Sequence, residues 1–414
     1  PAGGAPAAAV KERGGAGRVV GLVLAAALVG GAAGLGGSYA GSQLWPAPTS
    51  TAAGTPSVVT VNNPDSVNAT TAIAAKVVPS VVTIEASAGN TGGTGSGVVL
   101  SADGYVLTNT HVVTLDGATG DATLRVTTSD GHVYDAEVVG TDPVYDLAVI
   151  KLEGATDLTP MEFADSAELN VGDQTVAVGA PLGLSNSVTT GIVSALNRSI
   201  EIASSAAPDS SDSDDSDDSG NGEDSQNGEG PFFFDFGQGE QQQQTSGESI
   251  KIAVIQTDAA INPGNSGGAL VDGDGKLIGV NVAIASAGET SSQAGNIGVG
   301  FAIPSNIAQR IADDIIANGS ATHGLLGASV QSAASVEGAT TTGAYIAEVV
   351  SGGAAEAAGL REGDVVTEFN GVPITDSVDL TAQVRAAAAG STATLSYTRD
   401  GEAHTAKVTL GELE

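Results

Sequence analysis

Residues 256–270 read Gln256-Thr257-Asp258-Ala259-Ala260-Ile261-Asn262-Pro263-Gly264-Asn265-Ser266-Gly267-Gly268-Ala269-Leu270. An apolar run, Ile250 to Gln256, leads into this stretch, and glycines stand two residues before and two residues after Ser266. A hydroxyl is a poor nucleophile until a base takes its proton, and the oxyanion formed next needs backbone N–H donors fixed about 3 Å away. Flanking glycines let the chain turn tightly enough to aim such N–H groups inward. Taken alone, the pattern also fits a plain glycine turn with a capping serine, so its neighbours in the chain decide its meaning.

A base and its partner are found upstream. The chain has four histidines, His111, His132, His323 and His404, and histidine is the side chain whose ordinary titration falls near neutral pH. His132 follows a hairpin turn, and His323 and His404 have polar neighbours, so these three read as surface residues. His111 instead follows Tyr105-Val106-Leu107-Thr108, a strand that reads as buried, in Thr108-Asn109-Thr110-His111-Val112-Val113. Asp146, in Asp142-Pro143-Val144-Tyr145-Asp146-Leu147-Ala148-Val149-Ile150, stands at the mouth of an apolar strand, placed to orient a histidine and favour its imidazolium. Asp142 is a second carboxylate in that segment. His, then Asp, then Ser in separate strand-rich blocks is one of the orders in which this triad occurs.

The surrounding chain is mostly β. Between Val81 and Ile303 eleven short β-branched runs are broken by turn residues, which predicts a barrel or a sandwich pair. The 58 glycines and 3% aromatic residues fit short strands and tight turns. Asp130-Gly131 predicts a type I′ hairpin, with positive φ at both central residues. Ile307 to Asn318 has helical spacing of apolar residues and a glycine stop at Gly319.

At four places the chain closely resembles the HtrA/Deg family of trypsin-fold serine proteases: residues 108–113, 142–149, 256–270 and Gly298-x-Gly300-Phe301-Ala302-Ile303-Pro304. The likeness runs over roughly 73–414. It implies a mainly β, trypsin-like double β-barrel in which His111 is the general base, Asp146 its orienter and Ser266 the nucleophile. The N–H groups of Gly264 and Ser266 would form the oxyanion hole. Ala260, six residues before the serine, would floor the primary specificity pocket and favour a small apolar P1 residue over Lys or Arg. Residues 323–414, with Ala358-Gly359-Leu360, Gly363-Asp364-Val365-Val366 and Asn370-Gly371, look like a PDZ domain. There Leu325, Leu326, Gly327 and Ala328 would hold a peptide C-terminal carboxylate beside an open strand edge. The resemblance also implies a homotrimer acting on unfolded or exposed protein segments, without metal or organic cofactor.

Composition bounds the rest. Fourteen Lys and Arg against 48 Asp and Glu give a net charge of −34 over 414 residues, which repels phosphate backbones and argues against nucleic acid as a partner. The absence of cysteine removes disulfides, thiolate nucleophiles and Cys-based zinc sites. Residues 1–18 are a basic stub, and 19–40 are almost wholly Val, Leu, Ala and Gly, about the length that spans a bilayer. With positive charge on the N-terminal flank, this predicts a single-pass transmembrane helix with a cytoplasmic N-terminus and an extracytoplasmic catalytic domain. A cleaved secretory signal is the other reading of the same residues, and because the chain opens on Pro1 a preceding segment is expected. Residues 41–72 have linker composition, leading to a protease domain over 73–322. Residues 203–249, interrupting it, hold twelve of the acids and no Lys or Arg; their removal leaves a net charge of about −22. So polar a segment reads as a disordered loop, with four of the seven phenylalanines in Phe232-Phe233-Phe234-Asp235-Phe236 as an incidental apolar spot or a docking motif. By the family likeness it replaces a loop that relays activation to the catalytic site. Two non-enzymatic readings stand beside the protease: a chaperone-like binder, and a membrane scaffold working through the PDZ domain and the acidic loop.

Overall fold

The computed structural model describes residues 67–180, 187–204, 249–282, 298–338 and 340–413. The first described helix, α1 (Ala69–Val77), is capped by Asn68, whose side chain accepts from the Thr71 N–H at 2.9 Å. The helix spans position 73, where the protease domain is expected to begin. The hydrophobic segment 19–40 and residues 205–248 of the acidic segment lie outside the described residues. Among the described residues no helix is long and apolar enough to cross a membrane.

Two closed, six-stranded antiparallel barrels follow. The first contains β1 (Val81–Ala88), β2 (Thr91–Val99), β3 (Tyr105–Thr108), β4 (Thr123–Thr127), β5 (Val133–Asp142) and β6 (Leu147–Leu152), in the order β1-β2-β3-β6-β5-β4. A five-residue helix, α2 (Thr110–Thr114), leaves the end of β3. The second barrel contains β7 (Gln174–Gly179), β8 (Ser187–Ala203), β9 (Ser249–Thr257), β10 (Ala269–Val271), β11 (Leu277–Val282) and β12 (Gly300–Pro304), in the order β10-β11-β12-β9-β8-β7. All eleven expected runs carry strands. The twelfth, β10, has only three residues, too few for a periodic signal.

Strand β6 shows why several runs look uniformly apolar. Side chains alternate between the two faces of a strand, and here both faces are covered. Leu147 and Val149 join the core shared with the second barrel, beside Val176, Ile252 and Val280. Ala148, Ile150 and Leu152 fill the interior of the first barrel, with Ile84, Val106 and Val126. Helix α3 (Ser305–Asn318) lays Ala308, Ile311, Ala312 and Ile315 on the shared core and ends at Gly319, as its spacing indicates.

The β4–β5 connection corrects one expectation. It is a hairpin, but Asp130 is absent from the positive-φ residues and only Gly131 adopts that conformation, at φ 88°. The loop spans 128–132, closed by Thr128 N–H to His132 O at 2.9 Å and by Gly131 N–H to Thr128 O at 2.9 Å. A longer loop of this kind needs one left-handed residue where a type I′ turn needs two.

The C-terminal part pairs β13 (Gly324–Leu325) with β20 (Gly411–Glu412). It also builds a six-stranded sheet, in which β14 (Ala328–Ser332), β15 (Ala344–Val349), β16 (Val365–Phe369), β18 (Thr392–Arg399) and β19 (Glu402–Thr409) follow in that order and β17 (Val372–Pro373) is hairpinned on β16. Helices α4 (Ala354–Ala357) and α5 (Ser377–Ala386) complete it around Ile346, Leu360, Phe369, Leu380 and Leu395. Strand β14 is an edge of the sheet.

Leu107 is fully buried in the core shared by the barrels. Leu107→Ala is expected to cost about 2–5 kcal/mol, through lost transfer energy and the cavity left behind. Urea unfolding checks this: the midpoint falls with the slope unchanged, whereas an unshifted midpoint would show that the barrels do not close on this side chain.

Candidate active site

His111 and Asp146 meet in the first barrel. His111 lies in the first turn of α2, and Asp146 ends the loop that joins β5 to β6. The imidazole Nδ1 is 2.7 Å from Asp146 Oδ2, and the His111 backbone N–H donates to Oδ1 at 3.0 Å. The loop is gripped through its main chain as well. Asp146 O accepts from Asn109 Nδ2 at 2.8 Å and from the Thr110 N–H at 3.2 Å, while Thr110 Oγ1 donates to Leu147 O at 2.7 Å. Asp146 is fully buried and holds φ 53°, a left-handed conformation that aspartate tolerates better than most residues.

These contacts set the charge of the histidine. Burial of the ring works against its protonated form, but the charge and hydrogen bond of Asp146, helped by the more distant Asp116, hold the His111 pKa above its ordinary value. The pair can therefore accept a proton and stabilise the imidazolium that results.

Ser266 comes from the second barrel, in the turn that leads to β10, and is buried. Two contacts seat that turn against the first barrel, and a third fixes the Ser96 hydroxyl that makes one of them. Ser96 N–H donates to Ser266 O at 2.8 Å, Ser96 Oγ donates to Gly264 O at 2.7 Å, and the same Oγ accepts from the Ala180 N–H at 2.8 Å. Behind the turn, the Gly267 N–H donates to Asn281 O at 2.9 Å and the Asn281 N–H to Gly268 O at 2.9 Å. Gly267 has φ 79°, and a Cβ there would stand 2.2 Å from Ser96 O and 2.3 Å from Thr108 Oγ1. No other residue allows the serine turn to lie this close to β2 and β3. Gly264, with φ 94°, turns the chain just before the serine.

The remaining expected residues divide between two places. Ala260 follows β9, with its carbonyl held by Thr189 Oγ1 at 2.9 Å, and its neighbours Ala259 and Ile261 are buried, so this segment carries no charge. Residues 283–297 lie outside the described residues. Leu325 is exposed and Leu326 buried; Leu326 O accepts from the Ala355 N–H at 2.7 Å and Gly327 O from the Val350 N–H at 2.9 Å. These bonds fix the loop that enters β14 at Ala328. Among the described residues no group of three or more His, Asp or Glu side chains is arranged to hold a metal ion.

Of the other histidines, His132 is exposed beside Asp130 and His404 stacks on Tyr397. His323 corrects the expectation of a surface residue. It is buried, with Nε2 3.0 Å from Asp142 Oδ1 and Nδ1 2.8 Å from Arg385 O. Its polar neighbours in sequence concealed this, because it is buried by residues far away in the chain. Asp142, the second carboxylate, thus belongs to a different histidine. Ser96 was also missed; its signal is the tight Gly95-Ser96-Gly97, where side chains on either glycine would overlap Val112 or Val106.

Residues 95–280 match the model of the trypsin-like peptidase domain family, and residues 324–410 that of the PDZ domain. The chain is 39% identical over 421 residues to the serine protease PepD of Mycobacterium tuberculosis, covering 99% of this chain and 81% of that protein. It is 39% identical over 314 residues to the periplasmic serine endoprotease DegP of Escherichia coli, covering 74% of this chain but only 55% of that longer protein. Among solved structures it resembles the HtrA-type protease AlgW with tripeptide, at TM-score 0.55 and 31% identity, covering 83% of this chain and 97% of that one. The same protease with decapeptide gives TM-score 0.53 and 30% identity, covering 84% and 99%.

The local electrostatics give a pH dependence. His111 is expected to titrate above the ordinary histidine value of about 6.5, and Asp146→Asn to move it down, because burial then acts with only Asp116 opposing it. NMR titration of the labelled ring follows both; an unchanged midpoint in the variant would mean that Asp146 does not set the charge of His111.

Proposed function

The chain belongs to the HtrA/DegP family of trypsin-like serine proteases with one PDZ domain and is a serine endopeptidase; on that premise we propose that His111, Asp146 and Ser266 are its catalytic triad. The observation that carries the reading is the 2.7 Å pairing of His111 Nδ1 with Oδ2 of the fully buried Asp146. That bond commits Nδ1 to the carboxylate and turns Nε2, on the opposite edge of the ring, into the group that takes the Ser266 proton.

Ser266 Oγ then attacks the scissile carbonyl, and the charge on its oxygen is met by the N–H groups of Gly264 and Ser266. As the tetrahedral intermediate collapses, the imidazolium gives its proton to the leaving amine and an acyl-enzyme remains. Water, deprotonated by His111, releases the acid and restores the serine. No step requires a metal or an organic cofactor. Ala260 makes the primary pocket shallow and uncharged, which selects a small apolar P1 residue.

The wider reading places this chemistry outside the cytoplasm, as the periplasmic names of its relatives suggest, with residues 19–40 as a membrane tether and the catalytic domain extracytoplasmic. Substrates are unfolded or exposed protein segments, cleaved by a homotrimer. C-terminal peptides bind along β14, their carboxylates held by Leu325, Leu326, Gly327 and Ala328, and regulate turnover. The acidic segment 203–249 tunes or occludes that relay.

The test is to incubate the full chain and its Ser266→Ala variant with casein. Serine-dependent turnover is expected to fall on the order of 10⁴-fold or more in the variant while casein binding persists, and fragments from the unmodified chain should end in small apolar residues. Equal cleavage by both proteins would remove Ser266 from the mechanism. No cleavage by either, with C-terminal peptides added, would favour a chaperone-like binder.

A further inference from the structure

Asp142 ends β5 and four residues, 143–146, lead from it to β6; of these five, three carry side chains that bind other parts of the molecule. Asp146 holds His111. Tyr145, the residue next to it, is fully buried among the residues of the shared core. Its hydroxyl donates to Ala382 O at 2.6 Å, on helix α5 of the PDZ domain, and accepts from the Ala253 N–H at 3.4 Å, on β9. Burial pushes this hydroxyl well above its ordinary pKa, so it keeps the proton that it donates.

Asp142 makes the second attachment. Its Oδ1 accepts from the Val144 N–H at 3.0 Å, which shapes the loop, and pairs with His323 Nε2 at 3.0 Å. The other nitrogen of His323 faces Arg385 O at 2.8 Å, in the last turn of α5, where helix carbonyls lack partners within the helix. Both ring nitrogens face oxygen acceptors, and the ring lies nearly parallel to that of Tyr145, 6.1 Å away. The backbone of His323 is itself tied to the PDZ end, its O accepting from the Leu413 N–H at 3.0 Å. Ala382 and Arg385 are three residues apart, so the loop holds adjacent carbonyls on one side of one helix.

Helix α5 also packs on β8 and β9. These two strands end at the pair Ala203 and Ser249, between which the acidic segment is inserted. On the PDZ side α5 packs on β14, the edge strand beside the Leu325–Ala328 loop. The charged groups around the Tyr145 hydroxyl are Asp142, Arg310 and Arg385.

We propose that Tyr145 and the Asp142–His323 pair are positioning residues for Asp146, clamping its loop to PDZ helix α5 so that the placement of the helix sets the geometry of the His111–Asp146 pair. The proposal rests on reading that pair as part of the triad. A peptide bound along β14, or a change at the β8–β9 end, then reaches Asp146 through one buried hydroxyl and one buried His–Asp hydrogen bond. Misplacement of a catalytic group by about 1 Å can cost 10²-fold in rate, so a small movement of α5 suffices.

The experiment compares the full chain with Tyr145→Phe, which keeps the ring in the core and removes only the hydroxyl. Turnover of a peptide substrate is measured with and without a C-terminal peptide, and His111 is titrated by NMR in the Ser266→Ala background. In Tyr145→Phe, kcat is expected to fall about tenfold or more with KM within about twofold. The response to the C-terminal peptide is lost, and the His111 midpoint shifts down as Asp146 moves away. Asp142→Ala should act in the same way and Asp142→Asn, which keeps the Oδ1 acceptor, should recover most of the loss. Wild-type kcat with an unmoved His111 midpoint would overturn the proposal whatever the change in melting temperature, and so would a fall in kcat without the shift. If Tyr145→Phe fails to unfold cooperatively, the two Asp142 variants decide by the same readouts. If the unmodified chain shows no Ser266-dependent turnover, the triad reading fails by itself, and the His111 titration alone decides the clamp.

Discussion

A carboxylate with no exposure to water, in a left-handed backbone conformation, is the constraint on which the rest of the site depends. Burying an ionised group is costly unless it is paired and hydrogen-bonded. Asp146 meets that condition with the His111 ring on one oxygen and the His111 N–H on the other, while Asn109 and Thr110 bind its carbonyl. Losing one partner would leave a buried charge uncompensated, so the ring has one stable place. The double barrel serves this end: β3 delivers His111, β5 and β6 deliver Asp146, and their common core leaves neither strand free to shift.

The second barrel carries Ser266 on a turn that is seated against the first barrel. It is held there through contacts too close for side chains. Ser96 binds the serine turn by its N–H and its Oγ, and Gly267 leaves room for the main chain of β2 to approach. Because these bonds hold the backbone on both sides of Ser266, the direction of its N–H groups depends on the packing between barrels. Geometry at the serine and geometry at the aspartate are thus separate problems, solved by different elements. One can be disturbed while the other stands.

Much of this was legible in the chain because period and motif are local signals. The barrel strands announce themselves by β-branched runs with turn residues between them, and His111, Asp146 and Ser266 by short segments with characteristic neighbours. What was illegible depends on distant partners. β10 is held by register with β7 and β11 and is too short to show an alternation of its own. Asp130 could not be distinguished from a left-handed turn residue, since loop length rather than residue type chose the turn. His323 has a polar sequence environment, yet Asp142, Tyr145 and Arg385 surround it; no window of sequence contains them all. Nothing in its sequence neighbourhood singles out Tyr145, because its ring sits in the core and only its hydroxyl reaches distant partners.

The β5–β6 connection, from Asp142 to Asp146, therefore carries two His–Asp pairs four residues apart, and their difference explains why only one is proposed for the triad. An imidazole acts as a base when one nitrogen is held by a carboxylate and the other is left to the substrate side. His111 binds Asp146 through Nδ1, its side chain keeps some contact with solvent, and the serine turn lies across the same strands. His323 has both nitrogens directed at protein oxygens, and it is sealed between α5 and the first barrel. It has no edge on which to exchange a proton with a substrate. What it can do is hold, and what it holds is the loop on which the other pair depends.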